Sequence, residues 1–258
     1  MSIKISDLVY NYPHSTYAVL NGINLEINKG DVLVLLGNNG CGKTTLIKNI
    51  VGLTKPKTGT IEIDGVNLLS LSIHKRSKYI SYVSQKVNML EDIKIIDYLT
   101  YGFANSIKFY EKPNKEQINK AMEYADKLHI THLLNKKIDE ISGGERQIVS
   151  ICCALLQDSE VLILDEPTSA LDLNNQNMVL STLKEIALKE NKTMILSIHN
   201  PNHALYLNSM VAVMKEGHII EYGNSLDIIK VEKLKTIYGN NLCYSNELEY
   251  KEVSFKNN

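Results

Sequence analysis

Very little in this sequence is one-sided. With 28 basic against 29 acidic residues the formal net charge is −1, so no global field draws the chain to an anionic membrane surface or to nucleic acid, and nucleic acid is not expected as a partner. No stretch reaches the roughly 18 consecutive apolar residues that a membrane-spanning helix needs. The opening MSIKISDLVYNY has no basic region followed by an apolar run, so the chain is expected to stay in the cytosol. Only four cysteines occur, Cys41, Cys152, Cys153 and Cys243, and no two form a C-x-x-C pair. That argues against a disulfide framework or a zinc site and predicts reduced thiols. Repeats, low-complexity tracts and long linkers are absent as well.

What is present begins with enough apolar material for a core. A chain of 258 residues, 44% hydrophobic, stands at the upper edge of one domain, so one domain with an inserted lobe fits as well as two domains. Ile3, Ile5 and Val9, then Ile23, Leu25 and Ile27, alternate in the manner of antiparallel strands. Val32 to Leu36 is a continuous apolar run that feeds through a glycine-rich turn into a helical pattern over Thr44 to Val51. Thr60 to Ile63 and Tyr79 to Val83 read as further strands. From about Lys86 to Asp158 the strand signal vanishes, and Ile118, Ala121, Met122, Ala125 and Leu128 carry helical spacing, so this stretch is read as a helical insertion. Val161 to Leu164, Thr193 to Ile198 and Met210 to Met214 are three more apolar runs, with a helical segment from Asn174 to Lys189 between the first two. Apolar strands alternating with helices imply a mostly parallel sheet covered on both faces.

Three motifs carry chemistry. Residues 37–45, GNNGCGKTT, fit Gly-x-x-x-x-Gly-Lys-[Ser/Thr], in which glycines let backbone N–H groups approach phosphates at a helix N-terminus. Gly37, Asn38, Asn39, Gly40, Cys41 and Gly42 would form the cradle. Lys43 would reach the β- and γ-phosphates, Thr44 would ligate Mg²⁺, and Thr45 would help hold the α-phosphate. Next, Asp165 and Glu166 end a buried strand, where desolvated acids call for a cation. Asp165 is the expected Mg²⁺ partner and Glu166 the residue that polarises the attacking water. Last, in ISGGERQ at 141–147, a Ser-Gly-Gly turn opens a helix through Ile148, Ile151 and Leu155, with Ser142 as its N-cap.

Together, GNNGCGKTT, ISGGERQ and LDEPTSALD closely resemble the ATP-binding cassette (ABC) ATPases over nearly the whole chain. The resemblance implies an α/β fold: a RecA-like P-loop NTPase core with an antiparallel β subdomain, over residues 1–85 and 159–258, and an inserted helical subdomain at 86–158. It implies ATP and Mg²⁺ as cofactors and a second ATPase subunit, most simply another copy. In that head-to-tail pair Ser142, Gly143 and Gly144 act on the partner's nucleotide, and Asp172 bridges the two sites. It further assigns Gln85 to sensing Mg²⁺ and the γ-phosphate, His199 to contact with the γ-phosphate as a switch, and Tyr12 to stacking on adenine. Asn38 stands where the family often has proline, Cys41 where it has serine or alanine, Ile141 where it has leucine, and Asn200-Pro201 where an aspartate usually follows the histidine.

The later chain, ALYLNSMVAVMKEGHIIEYG through KLKTIYGNNLCY, resembles importers of iron-siderophores, haem and cobalamin, with an Ile237-Tyr238-Gly239 element near its end. This implies work at the cytoplasmic face of a membrane on a separate permease, docked on residues 86–135, with an extracytoplasmic binding protein as an indirect partner. An ABC transporter ATPase for another substrate, and a soluble ABC ATPase of iron–sulfur cluster assembly, stand as alternatives.

Overall fold

In the computed structural model, residues 2–87, 89, 92–108, 111–239, 242–245 and 252–255 are described. Along the chain run β1 (Ser2–Tyr10), β2 (Leu20–Asn28), β3 (Val32–Leu36), α1 (Lys43–Val51), β4 (Thr58–Ile63), β5 (Val66–Asn67), α2 (Ile73–Arg76) and β6 (Ile80–Val83). Then come α3 (Ile95–Thr100), α4 (Lys115–Lys127), α5 (Gly143–Leu156), β7 (Val161–Asp165), α6 (Leu173–Glu190), β8 (Thr193–Ser197) and α7 (Pro201–Leu207). The chain continues through β9 (Met210–Lys215), β10 (His218–Asn224), α8 (Ser225–Ile228), α9 (Val231–Tyr238), β11 (Leu242–Ser245) and β12 (Glu252–Phe255). These elements gather into two units, Met1–Leu71 with Ile195–Asn258, and Ser72–Met194.

In the first unit, β1 lies between β2 and β4 in an antiparallel four-stranded sheet of order β2-β1-β4-β5. The alternation seen in the sequence sets its register: Ile3 opposes Ile27 and Ile63, and Ile5 opposes Leu25 and Ile61. All six side chains are buried. The same unit holds β3, parallel to β9, and β10, antiparallel to β9. Leu33 to Leu36 and Val211, Ala212 and Met214 are fully buried or nearly so, as are Leu46, Ile47 and Ile50 of α1. Each such side chain contributes about 1.5–3 kcal/mol when removed from water.

In the second unit, β6 and β7 pair in parallel, with Ile80 opposite Val161 and Val83 opposite Leu164. Helix α5 packs against both strands and against α3 and α4, burying Ile148, Val149, Ile151, Cys152, Leu155 and Leu156. The 3₁₀ turn Tyr101–Phe103 comes so close to α5 that a Cβ at Gly102 would lie 2.6 Å from Leu156 Cβ and 2.7 Å from the Cys153 carbonyl oxygen. Helix α4 starts on a capping box between Asn114 and Gln117, and its Tyr124 hydroxyl donates to Glu190 of α6 at 2.8 Å. Parallel strands alternating with helices, beside an antiparallel sheet, make the α/β cassette fold that the sequence implied. Cys41, Cys152 and Cys153 are free thiols; the side chain of Cys243 lies outside what is described.

Candidate functional site

Strand β3 delivers the chain to Gly37, whose φ is 149° and whose missing Cβ would sit 2.3 Å from the Met214 carbonyl oxygen on β9. Only glycine allows that approach. Five residues on, Gly42 at φ 112° is the N-cap of α1; it offers no side-chain cap, and the first turn holds no acidic residue. The positive end of the helix dipole is therefore met by no carboxylate of its own first turn, as an anion site requires.

Lys43 is 5% exposed. Its ammonium donates to the carbonyl oxygens of Gly37 at 2.7 Å and Asn38 at 3.2 Å, with Cys41 Sγ at 3.9 Å. The loop thus curls around its own lysine, with Asn38, Asn39 and Gly40 on the outside and exposed. Tyr12 joins it through its hydroxyl, 3.0 Å from Thr45 Oγ1. The Tyr12 ring stands edge-on to Tyr10 at 5.1 Å between centroids and is 40% exposed. Thr44 follows Lys43 in the first turn of α1.

In the same unit, His199 is exposed directly after the buried Ile198. The Asn200-Pro201 pair that breaks the usual pattern starts α7: Asn200 accepts from the Asn202 backbone N–H at 3.0 Å, and Pro201 takes the first helical position, where its missing N–H costs nothing. From the other side, the Tyr238 hydroxyl donates to the His199 carbonyl oxygen at 3.2 Å. The sequence gives no sign of this last contact, nor of the bond from Asn38 Nδ2 to the Ile237 carbonyl oxygen at 2.7 Å.

The second unit brings Gln85 and Glu166 together. Each lies two residues beyond a paired position of the β6–β7 ladder, Val83 and Leu164, so the parallel register itself makes them neighbours. Gln85 Nε2 donates to Glu166 Oε2 at 2.6 Å. The backbone of Glu166 is left-handed, at φ 52°, and its carbonyl oxygen accepts from the Ser169 hydroxyl at 3.0 Å. Strain of this kind, about 1–3 kcal/mol, collects where a side chain must be aimed. Asp165 is 1% exposed. Burial, with Asp165's negative charge next in importance, pushes the neighbouring Tyr82 phenol up to about 12.

Ser142 caps α5 as expected, inside a full capping box: its hydroxyl accepts from the Glu145 N–H at 3.2 Å, and its own N–H donates to Glu145 at 2.7 Å. The Ser142 hydroxyl and then its backbone N–H, both bonded to the Glu145 carboxylate, hold that carboxyl below the usual range. Gly143 has open space where a side chain would be, whereas a Cβ at Gly144 would lie 3.1 Å from the Ala170 carbonyl oxygen. The signature turn therefore touches the SALD turn, which Gln176 holds from below by donating to the carbonyl oxygens of Thr168 and Leu171 at 3.2 and 2.9 Å. Asp172 caps α6 by accepting from the Asn175 N–H at 2.8 Å.

These residues suit a nucleotide and a hard cation. In the first unit, Gly37 and Gly42 shape a main-chain cradle and Lys43 supplies a positive charge, which suits phosphate; in the second, taken by itself, Asp165 is the kind of oxygen donor that Mg²⁺ takes. Among the described residues there is no cluster of three or more His, Cys, Asp or Glu placed to hold a metal.

Comparison with known proteins gives the family. The family model described as "ABC transporter" matches residues 20–169. The molybdate import ATP-binding protein MolC of Haemophilus influenzae is 29% identical over 254 residues, covering 98% of this chain and 94% of its own. A Helicobacter pylori protein named a "probable iron chelatin transport ATP-binding protein" is 29% identical, with 92% of this chain and 93% of its own covered. Among solved structures, an inward-facing ABC transporter described as metal-chelate type superposes with a TM-score of 0.81 at 28% identity, over 98% of this chain and 97% of that one.

Proposed function

This chain belongs to the ABC transporter family and is an ATPase, and from that premise we propose that it drives import either of an iron complex (a siderophore or haem) or of cobalamin through a separate membrane permease. The single observation that carries the motor reading is the 2.6 Å bond from Gln85 to Glu166. It ties a carboxylate suited to polarising water to the residue from which the chain runs on into a surface fit for a partner. That surface is a cavity of about 560 Å³ lined by His74, Thr100, Tyr101, Ala104, Ile107 and Lys108. Tyr101 is 53% exposed, and Ile73, the residue before His74 in the chain, 81%. Exposed apolar groups around a cleft suit an amphipathic segment of a permease.

In this reading Lys43, the N–H groups of residues 37–45 and the start of α1 bind the β- and γ-phosphates, and Tyr12 stacks on adenine. Thr44, Asp165 and Gln85 hold Mg²⁺, which supplies neutralisation of charge on the transferred phosphoryl group. Glu166 accepts the proton of the attacking water. His199 touches the γ-phosphate, and Ser142, Gly143 and Gly144 serve the nucleotide of a second copy, with Asp172 at the junction. The chain makes and breaks no covalent bond of its own, so its contribution is positioning and electrostatics.

The iron assignment is supported by the Helicobacter relative and the metal-chelate neighbour; MolC supports a second reading, an oxyanion importer. Location at the cytoplasmic face of a membrane, indirect service to a substrate-binding protein and a homodimer belong to the same proposal. Among the described residues no helix is long and apolar enough to cross a membrane, so a span would come from the permease. Reconstitution with that permease in vesicles tests the cargo: ferric siderophores, haem or cobalamin should stimulate ATP hydrolysis and enter. Response to molybdate alone would replace the iron reading with the oxyanion one, and silence across the panel would remove the transport substrate while leaving the ATPase.

A further inference from the structure

Two polar contacts join the end of α9 to the two segments that face the γ-phosphate in the reading above. The side chain of Asn38, an exposed residue of the phosphate loop, reaches 199 positions along the chain to donate to the Ile237 carbonyl oxygen at 2.7 Å. One residue later the Tyr238 hydroxyl donates to the His199 carbonyl oxygen at 3.2 Å. Helix α9 is anchored for this task by Val231, Leu234 and Ile237, all buried, and it stops at Gly239 in the positive-φ region.

The bonds fall where the strands cease to help. The Ile198 N–H donates to the Leu35 carbonyl oxygen at 3.2 Å; beyond that link the loop after β3 and the segment after β8 are no longer paired as strands. Their separation is left to whatever spans them. Tyr238 does so, with the Gly37 backbone and Cys41 as its other neighbours, and burial pushes its phenol up to about 12, so the hydroxyl keeps its proton as a donor throughout the working pH range.

We propose that Asn38 and Tyr238 are positioning residues for ATP hydrolysis: the end of α9 is a two-point strap that sets the phosphate loop and the His199 segment in register, and slackening it slows turnover without loosening nucleotide binding. The inference rests on the reading that His199 acts on the γ-phosphate.

Tyr238→Phe removes one hydroxyl, and Asn38→Ala removes the side-chain donor without adding a charge to the phosphate loop. Each deletes a hydrogen bond whose net worth is about 0.5–1.5 kcal/mol, so kcat should fall about two- to tenfold, with KM for ATP within twofold and a melting temperature no lower than that of Tyr222→Phe. Tyr222→Phe is the control: it deletes an equivalent bond, to the Glu26 carbonyl oxygen at 2.6 Å, away from the loop, and should leave kcat unchanged. An unchanged kcat in both test variants, a rise in KM instead, or a fall in kcat matched by the control overturns the strap. If one variant does not fold, the other decides. His199→Ala separates the two levels: unimpaired turnover there removes the histidine reading beneath the proposal, whereas slow turnover with normal Tyr238→Phe and Asn38→Ala removes the strap alone.

Discussion

Gln85 and Glu166 meet because each stands two residues past a paired position of the β6–β7 ladder, so a substitution that keeps the shape of Glu166 isolates its charge. Glu166→Gln should slow phosphate release by about 10²-fold or more, the range for a positioned base, while nucleotide binding by the purified chain stays close to the parent's; near-normal turnover would remove Glu166 from the base role. At this scale the sequence is legible wherever chemistry is local. GNNGCGKTT, the Asp165-Glu166 pair and the Ser142 cap each announce themselves within a few residues. The left-handed backbone of Glu166 does not, because nothing in its neighbours' identities demands it. Nor do the bonds of Asn38 and Tyr238, made to carbonyl oxygens 199 and 39 positions away, which any residue type supplies equally.

Elements were readable where period and apolarity coincide. Strands β3 and β7 are mainly aliphatic runs and stand out, whereas the spacing read over α4 is only partly a buried stripe: Ala121, Ala125 and Leu128 are buried, and Ile118 and Met122 are exposed. The contact between Gly102 and α5 is a property of two elements at once and leaves no local trace. Gly102→Ala would press a methyl against Leu156 Cβ and the Cys153 carbonyl oxygen, an overpacking that costs about 1–3 kcal/mol. Thermal unfolding should show a melting temperature lower by several degrees. Helix α7 carries a second expectation. His203 has its Nδ1 buried with no hydrogen-bond partner among the described residues, and burial lowers its pKa below the ordinary 6.5. Between 6.5 and that lowered value the unfolded chain binds a proton that the folded chain refuses, so this contribution is intact above pH 6.5 and is lost as pH falls. Denaturant midpoints at pH 7.5 and 5.5 should differ less in His203→Gln than in the parent.

At the scale of the whole molecule the charge is nearly balanced, and among the described residues no helix is long and apolar enough to cross a membrane. Two helix N-termini, at α1 and α5, carry glycine-rich turns, yet there is one Lys43 and one Asp165-Glu166 pair, an inventory that suits two copies exchanging halves of a site. Ser142→Arg places a long cation on the signature turn and should abolish steady-state turnover while ATP binding by the monomer persists. Equal loss of both would count against a shared site, and sedimentation of the ATP-bound Glu166→Gln chain gives the corresponding dimer readout. The left-handed conformation at Glu166 has a further bearing on how such a chain drifts over generations. A non-glycine residue held there costs about 1–2 kcal/mol, so replacement by glycine or asparagine is the change that most relaxes this stretch of backbone. Endurance to heat and capacity for work therefore pull in opposite directions at one codon, and a copy released from its task would be expected to harden there as it falls silent.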